Sequence, residues 1–370
     1  MKRIVLVLTL LVAGLLAACG EQEEQAVVPP PAGQAQAAVP AAVTTDRAAL
    51  YANPAGIDRS GFDLDVRPQD DFFRYVNGGW IARTVIPADR TWWGVTAELR
   101  AGSEQQQRSI IEEMAARTDL APGSVEQKIG ELFASLTDQS LVQGKGTAPI
   151  AGTLEAIAAI NSTRALAAFF GAAQTLGVST PLEVGVVSDP GTENRYISYV
   201  WQGGLGLPDR DYYLSEDQKF QQLRADYPLY IAKLLGLGGF GGTVEQAQAV
   251  FVIEQRLAEA HWPAEQNRDM KKLYNLVKAE SLAEVAPNFD WPAWIEAAGL
   301  AGRTDLMLSQ LSYFQKLGAI VDESGLDAWK DYLRFHALDA AAPWLSGEFE
   351  QAQFDFMQHE VLGLEEQAPD

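Results

Sequence analysis

RPQDDFFRYVNGGWIARTVIPADRTWWGVTAELR, residues 67–100, is the stretch on which the reading of this chain turns. Phe72, Phe73, Tyr75, Trp80, Trp92 and Trp93 all fall within it, and six such rings carry more apolar area than a folded chain leaves in water. They need a covering surface, either from elsewhere in this chain or from a partner. The dense polar residues between them read as loop-closing contacts and not as a helix.

Outward from this stretch the pattern is helical. In SVEQKIGELFASL (124–136), Val125, Ile129, Leu132, Phe133 and Leu136 repeat at helical spacing, and Ser124 with Gln127 has the form of a capping box. TRALAAFFGAAQTLG (163–177) predicts a helix stopping at Gly177. The same capping arrangement opens the next two, with Ser215 and Gln218 and with Thr243 and Gln246. DWPAWIEAAG (290–299) places Asp290 as N-cap, Pro292 in the first turn and Gly299 at the end. GLDAWKDYLRFHALDAA (325–341) and SGEFEQAQFDFMQHEVLG (346–363) complete the set. One region breaks the rhythm: PLEVGVVSDPGTENRYISYVWQGG (181–204) has two β-prone runs around a turn, a hairpin pattern. Asp305 to Ser309 reads as a short isolated strand. Strands and helices do not alternate as in a doubly wound sheet. The expected fold is mainly α, a large helical domain over 55–370 with a small β-hairpin.

Composition sets the limits. At 370 residues, 47% hydrophobic and 9% aromatic, the chain can build a sizeable core. Its formal charge of −21 repels phosphate backbones, so nucleic acid is excluded as a partner. Met1-Lys2-Arg3 and the apolar run Ile4–Leu16 form a signal-like start, ending in Leu16-Ala17-Ala18-Cys19. Cys19 is the only cysteine, and small residues precede it as in a bacterial lipoprotein. The expectation is a signal peptide over 1–18, lipid on Cys19, and a Pro-, Ala- and Gln-rich linker over 19–54. The chain is then lipid-anchored in the cell envelope, on the periplasmic face of the outer membrane in a Gram-negative cell.

Short motifs for chemistry are weak. Leu235–Gly242 contains the spacing G-x-G-x-x-G, but a helix precedes it where a dinucleotide site needs a strand, so it reads as a turn. No G-x-S-x-G elbow occurs. His359-Glu360-Val361-Leu362-Gly363 has the first two letters of H-E-x-x-H, with Gly363 where the second zinc-binding His must stand. His261 and His336 are too far apart in sequence to form a helical pair with each other or with His359. Spacing alone leaves open a zinc site assembled from distant His and carboxylates.

Longer strings carry more. Asp70-Asp71-Phe72-Phe73-Arg74-Tyr75, Asn77-Gly78-Gly79-Trp80, Ile86-Pro87-Ala88-Asp89-Arg90 and Glu98-Leu99-Arg100 resemble, in order, the opening of the neprilysin-like (M13) zinc metallopeptidases of bacterial type. Gly204-Leu205-Gly206-Leu207-Pro208-Asp209-Arg210-Asp211-Tyr212-Tyr213-Leu214 is similar to one of the family's most distinctive strings. Asn267-Arg268-Asp269, Phe289-Asp290-Trp291 and Trp329-Lys330-Asp331-Tyr332-Leu333 extend the likeness. The resemblance implies a helical domain that closes over a zinc-bearing catalytic domain following in sequence. There, a zinc-bound water with a Glu as general base would attack a peptide bond. It also implies that this chain stops before that half, so it has no catalytic residues, metal ligands or cofactor of its own, zinc being the cofactor of the full-length family. His359-Glu360 would then be a coincidence. Arg100 matches a residue near a primed-side subsite, with a structural ion pair as the alternative. Peptide substrates would be met through a catalytic domain in cis or in trans. The alternative is a stand-alone peptide-binding or interaction lipoprotein.

Overall fold

The computed structural model describes residues 59–192 and 194–367. The expected signal peptide, Cys19 and the linker lie outside the described residues. The protein is mainly α-helical and its described residues divide into two compact units, one running to Ala134 and including the segment after Gly363, the other Ser135–Gly363.

The first unit holds α1 (Phe72–Arg83), α2 (Val95–Ala116) and most of α3 (Val125–Thr137). The aromatic stretch expected to be loop is therefore helical at both ends. Asp71 caps α1, its carboxylate accepting from Arg74 N at 2.9 Å. Gly78 and Gly79 weaken the helical pattern by about 1 kcal/mol each, which hides α1 in the sequence. Contact explains their presence. A Cβ on Gly78 would stand 2.6 Å from Asp63 Cβ, and one on Gly79 2.6 Å from the Phe62 carbonyl oxygen. Backbone thus lies on backbone, and Arg83 Nη1 adds a 2.6 Å bond to Ser60 O. The segment after Gly363 returns to this unit, where Glu365 N and Glu366 N both donate to Ala88 O.

The second unit holds α4 (Gln139–Lys145), α5 (Ala151–Ala158), α6 (Thr163–Ala172), β1 (Leu182–Ser188), β2 (Tyr196–Gln202), α7 (Gln218–Leu237) and α8 (Val244–Ala260). It continues through β3 (Leu276–Lys278), α9 (Trp291–Ala297), β4 (Asp305–Leu308), α10 (Leu311–Ser324), α11 (Leu326–Ala341) and α12 (Gly347–Gln353), then a π-helix over Phe354–Val361. The expected hairpin is present, Leu182 to Ser188 pairing antiparallel with Gln202 to Tyr196. It is half of a four-stranded sheet in the order β1-β2-β4-β3. Asp305–Leu308 is not isolated: β4 runs parallel to β2, with Ser198 opposite Leu306, and β3 pairs antiparallel to β4. Three residues of β3 carry too little periodicity to read.

Caps follow the sequence unevenly. Thr243 and Gln246 form a full capping box on α8. Asp290 caps α9 through Ala293 N, and Gly299 leaves it with φ +69°. At α3, Ser124 Oγ accepts from Gln127 N, but the Gln127 side chain reaches back to Gly123 N instead of closing the box. α7 begins later than expected, capped by Asp217 and not Ser215, because the Asp217 carboxylate accepts from Lys219 N at 2.8 Å. The glycine-rich run after α7 is a turn: Gly239, Gly241 and Gly242 have φ of +80°, +93° and +69°.

The main hydrophobic core belongs to this unit, every fully buried member lying between Ile157 and Val361. Trp291, Trp294 and Trp329 with Phe170, Phe314 and Phe335 form its centre.

Candidate functional site

Loop Gly203–Arg210, followed by the helical turn Asp211–Leu214, carries the distinctive string and is held from several sides. Tyr332 of α11 donates its hydroxyl to Gly204 O at 2.7 Å, and Tyr313 of α10 donates to the adjoining Pro181 O at 2.7 Å. Gly204 has φ +87°, and a Cβ there would stand 2.5 Å from the Tyr332 hydroxyl, so only glycine fits. Glu254 of α8 is the centre of the anchor. Its carboxylate accepts from Gly206 N at 3.2 Å, Tyr213 OH at 2.5 Å and Tyr227 OH at 2.9 Å, with no solvent exposure. Tyr213 OH in turn accepts from Leu207 N at 2.9 Å. Burial first, then the Glu254 charge, pushes both tyrosines well above the usual phenol range, so both stay donors. His336 Nε2 lies 3.0 Å from Glu254 Oε1, close enough for an ion pair but not aligned as a hydrogen bond. Nearby, Tyr230 donates to Asp339, whose carboxyl is pushed up by burial.

The same loop walls a pit of about 240 Å³ together with Glu183, Gln202, His261, Trp262 and Asn267. His261 Nε2 faces Gly203 O at 3.1 Å. Burial lowers its pKa to about 4, so the ring is neutral at pH 7 and its Nε2–H donates to that carbonyl. As pH falls from about 6.5 toward about 4, the unfolded chain binds a proton that the folded chain refuses, and stability is lost across that window. His261→Gln is expected to remove this component. Urea titrations at pH 7 and about 4.5 should show the parent losing on the order of 2 kcal/mol more than the variant. Equal losses would reject the assignment.

In the first unit, three of the six aromatic rings anticipated as needing cover lack it within the described chain. Phe72 and Phe73 are each 67% exposed and Trp92 53%, while Tyr75, Trp80 and Trp93 are half-buried. Arg100 is exposed on α2, and no carboxylate among the described residues forms a salt bridge with it. His359 and Glu360 are exposed near the end of the π-helix, and Gly363 follows with φ +77°. Among the described residues no three His, Cys, Asp or Glu side chains converge as a metal ion needs. The residues described do not fit a catalytic zinc.

The helical scaffold is similar to that of a solved zinc metalloprotease. The *Mycobacterium tuberculosis* zinc metalloprotease Zmp1, solved with an inhibitor, matches with a TM-score of 0.78 at 32% identity, covering 85% of this chain and 48% of that one. Rat (*Rattus norvegicus*) endothelin-converting enzyme 1 is 25% identical over 370 residues, 96% of this chain and 46% of the enzyme. Mouse (*Mus musculus*) endothelin-converting enzyme-like 1 is 24% identical over 318 residues, 82% and 41% respectively. The model for the N-terminal part of peptidase family M13 matches residues 68–370. The chain belongs to peptidase family M13, and it spans about half the length of these relatives.

The sequence located the loop but not its anchors. Glu254, Tyr227, Tyr313 and Tyr332 come from four separate helices, and only their placement on buried helical faces could have marked them. A charged Glu254 amid the apolar positions of α8 is that signal.

Proposed function

We propose that this chain is the cleft-covering half of an M13 zinc endopeptidase and acts on peptides together with a zinc-bearing half, in cis or in trans. The exposed rings of Phe72, Phe73 and Trp92 carry the reading. Rings so rarely left in water mark a surface that another body covers. The likeness to relatives about twice as long supports the same reading. Arg100, exposed and without a salt-bridge partner among the described residues, is available to a bound peptide. Lipid attachment at Cys19 would hold the assembly at the cell envelope. Loss of Cys19→Ala protein from the membrane fraction checks this, and unchanged fractionation rejects it.

The test pairs the purified chain with the zinc-bearing half of an M13 peptidase. The chain alone is expected to hold no stoichiometric zinc and to cleave no peptide. The pair is expected to show cleavage that a chelator abolishes, with Arg100→Ala lowering kcat/KM about tenfold. Zinc and chelator-sensitive cleavage by the chain alone would overturn the division of labour. The second reading, a stand-alone peptide-binding lipoprotein, draws on the closed core between Ile157 and Val361. It predicts a soluble, cooperatively unfolding monomer that no zinc half binds.

A further inference from the structure

The pit behind the glycine loop has an unusual balance of donors and acceptors. Its two side-chain amides are partly engaged: Gln202 donates to Trp262 O and accepts from Trp262 N, and Asn267 donates to Trp262 O and accepts from Gln310 Nε2. His261 has committed its Nε2 to Gly203 O. Gly203 N donates to Pro181 O, and the Trp262 indole N–H to Ser312 Oγ at 2.7 Å. Arg210 is the only cation among the lining residues. Its guanidinium is tied to Ala258 O and to Asp211 Oδ1, both at 3.3 Å.

Acceptors remain. Glu183 is half-buried beside Gly203, and no Lys, Arg or His among the described residues forms a salt bridge with it. Loss of water pushes its pKa up, an effect that Trp201 opposes in part. Asp209 spends Oδ1 on Asp211 N at 2.9 Å. Two carboxylates therefore line a space with room for roughly eight waters. A donor-rich cation complements these two carboxylates, and a planar guanidinium, with its fork of N–H groups, matches carboxylates best.

We propose that the pit formed by Glu183, Gly203–Arg210, His261 and Trp262 is a binding site for a basic group, the guanidinium of an arginine or the ammonium of a lysine. Its source is either a free small cation or a basic residue of a peptide. This goes beyond the peptidase reading and stands whether or not a zinc half joins the chain, since binding is read on the chain alone.

Acetyl-arginine amide, its uncharged isostere acetyl-citrulline amide and the pentapeptide Ala-Ala-Arg-Ala-Ala are titrated into the full chain by calorimetry and NMR. Saturable arginine binding in the millimolar range is expected, with citrulline at least about tenfold weaker. Glu183→Gln is expected to weaken arginine binding about tenfold and Asp209→Asn about threefold. Tighter binding of the pentapeptide than of the amide identifies a peptide as the source, and equal binding identifies a free cation. Absence of saturation, or equal binding of arginine and citrulline, overturns the site. If Glu183→Gln does not fold, the arginine–citrulline comparison in the parent and in Asp209→Asn decides alone.

Discussion

Glu254→Ala is expected to destabilise the protein by about 3–5 kcal/mol, the range for removing one member of a buried charged network. The carboxylate has no solvent contact and accepts from two phenols and one backbone N–H. Truncation leaves the Tyr213 and Tyr227 hydroxyls and Gly206 N without an acceptor in a dry interior, at about 1–3 kcal/mol for each unsatisfied group. These costs do not add in full, because the tyrosines can turn toward one another. The check is chemical denaturation, paired with hydrogen exchange at Gly206 and Leu207, whose amides should lose protection first. A loss under about 1 kcal/mol would mean that water reaches the loop and that its anchor lies elsewhere. Tyr227→Phe, which deletes one donor and leaves the acceptor, should cost only about 1 kcal/mol.

Trp329→Ala is expected to cost about 3–5 kcal/mol for a different reason. The ring is fully buried and meets Phe170 edge-on at 5.3 Å and Tyr332 at 5.0 Å, while its N–H donates to Val321 O at 3.1 Å. Its loss opens a cavity between α6, α10 and α11 and strands that carbonyl. Trp92→Ala is the contrast. With Trp92 53% exposed, the chain on its own should change by no more than about 0.5 kcal/mol. Denaturation of the three proteins reads both effects at once. A large loss at Trp92 would show that its ring already contributes to this chain's own packing.

These contrasts show which parts of the structure were legible. α8 and α9 announce themselves because an apolar stripe and a side-chain cap agree, and α11 by its apolar stripe. α1 does not, because Gly78 and Gly79 serve a backbone contact with Phe62 and Asp63 and so contradict local propensity. The need of the aromatic stretch for cover was legible from ring area alone. Its helical form was not. Asp305–Leu308 is readable as a strand, but its partner is not, since pairing with Ser198–Val200 depends on how the intervening helices pack. The pit was invisible for the same reason, and of the Glu254 anchor only the acidic residue on an apolar helix face was legible: each gathers residues from distant elements, and one sequence records no distances.

The parallel pairing of β2 with β4 also governs the order in which the protein can assemble. Ser198 waits for Leu306, and at roughly 5–20 residues per second the ribosome needs on the order of ten seconds to supply it. During that interval the nascent β1–β2 hairpin exposes the inner edge of β2, with Ile197 and Val200 uncovered. Helices α7, α8 and α9 emerge first and can collapse locally, whereas the sheet closes only after them. The slow step of folding is therefore expected on the element that leads into the glycine loop, and the loop becomes rigid only once Tyr313 and Tyr332 have also been made.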